Sequence, residues 1–117
     1  MQMSDGERYQ YLIDKIIETK KVWLLMAEEE MFAMLEDNNG QEYIPIWPEE
    51  KHTKVYVQDD WADYQATEMK MYDFINWMKE LSDDKIKIAA FPDENNKIIP
   101  IEPLEIKNHL TTELAKR

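Results

Sequence analysis

Two histidines and a few acidic clusters are the side chains of this sequence whose type and spacing offer chemistry. His52 follows Glu49 and Glu50, and a Glu/His pair at i, i+3 on a short helix can share a proton or chelate a metal. A closed metal site needs more ligands at fixed geometry, so a solvated surface histidine is the ordinary reading of His52. The nearest further carboxylates are Asp59, Asp60 and Asp63, which makes a metal-assisted or hydrolytic enzyme centred on His52 one expectation. His109, the other imidazole, lies off the apolar stripe of the last predicted helix and is expected at the surface.

The runs Glu28, Glu29, Glu30 and Asp59, Asp60, Asp63 carry oxygen ligands that calcium accepts, but the ligand order of an EF-hand loop is absent. Solvated turns explain them. No Asp or Glu is embedded in an apolar run that would bury it and raise its pKa, as paired-carboxylate hydrolysis requires. The residues thus assign no catalytic, metal or cofactor position, and no cofactor is expected. Among the aromatics, Trp23 and Trp47 fall in predicted strands and are expected in the core, and Trp77 lies at the margin of a helical stripe. Trp61 and Tyr64 sit in an acidic loop, where large rings either tether the loop to the core or face a partner. Together Trp47, Pro48, Asp60, Trp61, Asp63 and Tyr64 form the candidate interaction surface. Eight methionines, Met69, Met71 and Met78 among them, could build an adaptable groove, but most sit on stripes assigned to the core.

The chemistry must be held by a chain of 117 residues, the usual size of one domain, so 1–117 is expected to form a single unit with 1–4 frayed. Its 44% hydrophobic content supports a real core despite the charge. Only Gly6 and Gly40 are glycines, too few for a phosphate-binding loop. A net charge of -11 repels nucleic acid and anionic lipid and favours a basic protein as partner. Without cysteine there is no disulfide, thiolate zinc site or thiol nucleophile. No apolar run approaches the about 18 residues of a membrane span, and no leader pattern opens the sequence; no membrane association and a cytoplasmic location are expected.

Ser4 and Glu7 have the form of a capping box opening a helix with Tyr9, Leu12, Ile13 and Ile16 on one face. Two strands buried on both faces follow, over 22–26 and 31–35, paired as a hairpin around the three glutamates. Asp37-Asn38-Asn39-Gly40 is a turn sequence leading to a third strand over 43–47. Pro45 places that strand at an edge, or with its missing donor facing away from a neighbour. The segment 48–58 reads as a short helix from Pro48-Glu49-Glu50, against the strand-like alternation of Thr53, Val55 and Val57. An edge strand over 65–69 precedes a helix striped by Met71, Phe74, Ile75, Met78 and Leu81. Strands over 86–91 and 97–101 flank a Pro/Asp/Asn turn, and Pro103 opens a last helix bearing Leu104, Ile106, Leu110 and Leu114. This order predicts an α+β fold: a mostly antiparallel sheet of about five strands built from hairpins, packed by N-terminal, central and C-terminal helices.

The run Tyr43-Ile44-Pro45-Ile46-Trp47-Pro48, then Asp60-Trp61-Ala62-Asp63-Tyr64, Phe74 on a helix, Ala90-Phe91-Pro92 and Pro103-Leu104 resembles the bacterial domain of unknown function 2750 family over nearly the whole chain. The resemblance implies a small cytosolic bacterial domain. It brings no catalytic residue to any position here, and for the segment after Pro48 it implies helix.

From charge and from the lack of a chemical constellation, the leading expectation is a protein-binding or adaptor module that presents an acidic, aromatic-bearing surface to a basic protein. An immunity-like protein neutralising a cationic toxin is one concrete version. The alternatives are the His52-centred enzyme and a homo-oligomeric structural protein.

Overall fold

The computed structural model describes residues 4–27, 31–53, 64–92 and 97–116. Helix α1 (Asp5–Thr19) begins as its sequence dictates: Glu7 N–H donates to Ser4 Oγ and Ser4 N–H to the Glu7 carboxylate, each at 3.2 Å. Leu12, Ile13, Ile16 and Ile17 are buried along one face. Lys20 ends the helix in the left-handed region at φ 61°, and its N–H returns to Ile16 O.

The chain continues as β1 (Lys21–Ala27), β2 (Met31–Phe32), β3 (Leu35–Glu36), β4 (Glu42–Ile46), α2 (Glu50–Thr53), β5 (Gln65–Lys70), α3 (Met71–Asp83), β6 (Lys87–Ala90), β7 (Ile99–Ile101) and α4 (Pro103–Ala115). This is the α+β fold that the sequence pattern predicts. Its strands form a three-stranded antiparallel sheet in the order β2-β1-β5 and a four-stranded mixed sheet in the order β3-β4-β6-β7. The expected antiparallel pairs β1–β2 and β6–β7 are realised and β3–β4 adds a third, but β4 and β6 run parallel, with Ile44 opposite Ile88 and Ile46 opposite Ala90. A parallel pair needs a long crossover, and α2, β5 and α3 lie within it.

The expectation of one continuous, doubly buried strand over 31–35 is corrected. Ala33 N–H still donates to Leu25 O, yet Leu35 pairs with Tyr43, so the segment leaves one sheet and joins the other. Met31 and Met34 emerge at that transfer, 62% and 39% exposed. Pro45 is not at an edge, since β4 lies between β3 and β6. Phe91 N–H donates to Ile46 O and Trp47 N–H to Trp23 O, so alternation along β4 turns the nitrogen of Pro45 away from β6, past the end of β3. β5 is an edge strand, as expected, and pairs with β1 from Lys21↔Lys70 to Met26↔Gln65.

The buried side chains form one cluster in which Val22 and Leu24 of β1, Ile44 and Ile46 of β4 and Ile88 of β6 meet the helix stripes. Helix α3 buries Met71, Phe74, Ile75, Met78 and Leu81, the five residues its period selects. Helix α4 contacts both α1 and α3 and buries Pro103, Ile106 and Leu110, but Leu104 is 47% exposed, two residues out of step with Ile106. Among the described residues, no helix is long and apolar enough to cross a membrane.

Candidate functional site

Parallel strands gather the loops that follow them at one end, and the carboxyl ends of such strands are where ligands commonly lie in open sheets. Here Trp47-Pro48-Glu49 follows β4 and Phe91-Pro92 follows β6. The two exits are clamped together: Phe91 N–H donates to Ile46 O at 2.9 Å, and the buried Trp47 indole donates through Nε1 to Pro92 O at 3.2 Å. Phe91 is held in the left-handed region at φ 44°, an uncommon conformation for a bulky aromatic that persists only when its surroundings impose it.

Around this clamp three rings form a triangle. Tyr11, from α1, stands perpendicular to His52, from α2, with centroids 6.3 Å apart; His52 lies 4.7 Å and Tyr11 6.1 Å from Phe91. The Arg8 guanidinium, buried and one turn before Tyr11 on α1, sits 5.1 Å from the Phe91 centroid, a cation–π arrangement. Tyr11 donates its phenolic proton to Glu49 Oε1. That bond first, then burial and the negative charge of Glu49, push the Tyr11 phenol up to about 12. The same bond holds the Glu49 carboxyl below the usual range, helped by Lys51 and His52 and opposed by burial. Burial depresses the pKa of His52, only partly offset by the nearby Glu49 charge. Its Nδ1 is buried without a hydrogen-bond partner among the described residues. At neutral pH the site therefore carries an ordered carboxylate beside a neutral imidazole.

His52 is half-buried among rings, so its reading as a solvated surface histidine is corrected; the covering residues come from α1 and from the end of β6. Short helix is the observed structure of 50–53, and 54–58 lie outside the described residues. Within the predicted interaction surface, Trp47 is 0% exposed and Pro48 is buried, so both lie beneath the surface as its floor. Tyr64 is half-buried at the start of β5 and packs against the core. Asp60, Trp61 and Asp63 lie outside the described residues, as do Glu28 to Glu30 and Asp59. Neither residue type nor local spacing marks Tyr11, Arg8 or Phe91 as site residues. Phe91 does belong to the Ala90-Phe91-Pro92 motif of the family resemblance, which stands here against another such motif, Trp47-Pro48.

His109 is exposed on α4, as its position predicts, and its Nδ1 meets the Tyr9 hydroxyl of α1 at 2.5 Å in an edge-on ring pair. The Tyr9 phenol is raised, by burial first and by Glu105 second. A cavity of about 270 Å³ opens beside this pair between α1 and α4, lined also by Ile13, Thr112 and Glu113. Among the described residues no three His, Asp or Glu side chains are grouped to hold a metal ion, either here or around His52.

A family model described as "Protein of unknown function (DUF2750)" matches residues 9–110, a span that includes Tyr11, Trp47, Glu49, His52 and Phe91. No curated protein and no solved structure matches the chain.

Proposed function

We propose that this chain, a member of the DUF2750 family, is a protein-binding module recognising a basic protein through the surface around the β4 and β6 exits and the 47–64 connection. The observation that carries this reading is a partly exposed carboxylate at the β4 exit, held by Tyr11 of α1 beside rings that pack on Phe91 of the β6 exit, in a chain of net charge -11. Trp47 and Pro48 act as a rigid floor in this reading, which keeps the expectation from sequence that Asp60, Trp61, Asp63 and Tyr64 take part in binding. A cytoplasmic location fits the same reading. The test is capture from native lysate with the immobilised chain at low and high salt, alongside Trp61→Ala and Tyr64→Ala chains. A basic protein retained by the wild type, released by salt and lost from the variants is expected; a background-only capture overturns the proposal.

A second reading, metal-assisted chemistry, draws on the i, i+3 spacing of Glu49 and His52 and on the Nδ1 of His52, which has no partner among the described residues. A ligand that binds the native state must raise the melting temperature. The reading requires a divalent metal to raise it for the wild type and not for His52→Ala, and is abandoned if neither responds.

A further inference from the structure

We infer that Glu49 is the seat of a cationic side chain, an arginine or lysine contributed by the partner, which rests on the protein-binding reading and gives it a recognition chemistry. The carboxylates of the chain are engaged in different ways. Glu68 pairs with Lys21 at 2.9 Å, Glu102 with Lys87 at 3.5 Å, and Asp37 accepts from Asn39 N–H, Gln41 N–H and the Tyr43 hydroxyl within its own turn. Glu49 is ordered instead by a neutral donor. Its Oε1 is taken by Tyr11, and its Oε2 meets the Lys51 ammonium at 3.8 Å, the outer limit of an ion pair, from a lysine side chain that is 69% exposed. An exposed pair of that length adds little to stability and is readily exchanged for another cation.

The surroundings suit the exchange. The Glu49 side chain is 27% exposed, so it is reachable yet partly desolvated, and an ion pair made there is worth more than one in open water. Its neighbours are Tyr11 and the ring of His52, which is neutral at physiological pH because burial disfavours its charged form; aromatic faces attract a cation, and a neutral imidazole does not compete with one. The fold already places one guanidinium against these rings, that of Arg8 on Phe91. Charge complementarity with the whole chain favours the same occupant.

The test is an amide NMR titration of the full chain with N-acetyl-arginine amide, compared with N-acetyl-citrulline amide, its neutral isostere. Arginine amide is expected to shift the amides of Tyr11, Glu49, His52 and Phe91 along one saturable curve, and citrulline amide is not. Glu49→Gln is expected to weaken the arginine probe about tenfold, while Glu68→Gln and Lys51→Ala leave it as tight or tighter. If the Glu49→Gln spectrum collapses, Tyr11→Phe decides: it keeps the carboxylate but frees it, and is expected to weaken the probe about threefold. Shifts scattered over every surface carboxylate, or an isotherm indifferent to both variants, overturn the inference. Capture of a basic protein that survives Glu49→Gln also overturns it and leaves the protein-binding reading standing; a Glu49-dependent isotherm with no captured partner supports the seat and sinks that reading.

Discussion

Trp23 and Trp47 exchange two backbone hydrogen bonds, Trp23 N–H to Trp47 O at 3.0 Å and Trp47 N–H to Trp23 O at 2.9 Å, and this isolated pair joins the two sheets. The residue that makes the joint also makes the clamp, since the Trp47 indole reaches across to Pro92 O. The sheet junction and the candidate site therefore share one side chain.

Trp47→Ala removes a fully buried ring at this junction and is expected to cost about 3–5 kcal/mol. Trp47→Phe keeps much of the packing but leaves the Pro92 carbonyl without its donor, for a loss of about 1–3 kcal/mol. Urea unfolding of both variants checks the order; equal losses would mean that the indole bond, not the ring volume, dominates.

Phe91 occupies a conformation that β-branched residues resist most. Phe91→Ile should therefore be less stable than Phe91→Leu by about 1 kcal/mol, although both remove the ring contacts with Tyr11 and His52. Paired denaturation midpoints measure this directly, and a more stable isoleucine variant would contradict the positive φ.

The folded-state pKa of His52 lies below its unfolded value of about 6.5, so the native state binds the proton less readily than the unfolded one. Its contribution is complete above that unfolded value and is lost as pH falls toward the folded pKa. Stability should decline between pH 7 and 5 in the wild type and decline less in His52→Gln. Glu49, also depressed, acts in the next window: its stabilisation is present above the unfolded carboxyl value and is lost as pH falls through the folded one. Denaturant midpoints across this range test both, and parallel curves for wild type and variant would refute the role given to His52.

Tyr11→Phe removes the donor to Glu49 and keeps the ring. Because the carboxylate is partly solvated, the loss should stay near about 1 kcal/mol. The more diagnostic change is in titration: the Glu49 carboxyl should move up toward the ordinary range, followed by side-chain carbon NMR, whereas an unmoved value would show that the phenol does not hold it.

Much of this architecture is legible in the sequence where the physics is local. The Ser4/Glu7 box, the stripe from Met71 to Leu81, the Asp37 turn and Pro103 at the start of α4 each declare themselves within a few residues. What escapes is set by contacts between distant segments. The parallel pairing of β4 and β6 follows from how the crossover packs, not from either strand's pattern. The segment after Met31 changes sheets because β1 and β4 both offer it an edge, a competition its apolar run does not reveal. His52 looks solvated beside Glu49 and Glu50, and is covered only because Tyr11 and Phe91 arrive from other elements. For the same reason the aromatic signal picked out Trp47, which the structure places in the floor, ahead of Tyr11, which touches the carboxylate.

The proposed binding of a basic protein through this surface is tested most directly by titrating the captured partner calorimetrically at two salt concentrations against the wild type and Tyr64→Ala. The account predicts an affinity that falls steeply with salt, since the Debye length shrinks from about 10 Å at 0.1 M to about 3 Å at 1 M, and that falls again in the variant. An affinity unchanged by salt and by the substitution would contradict it.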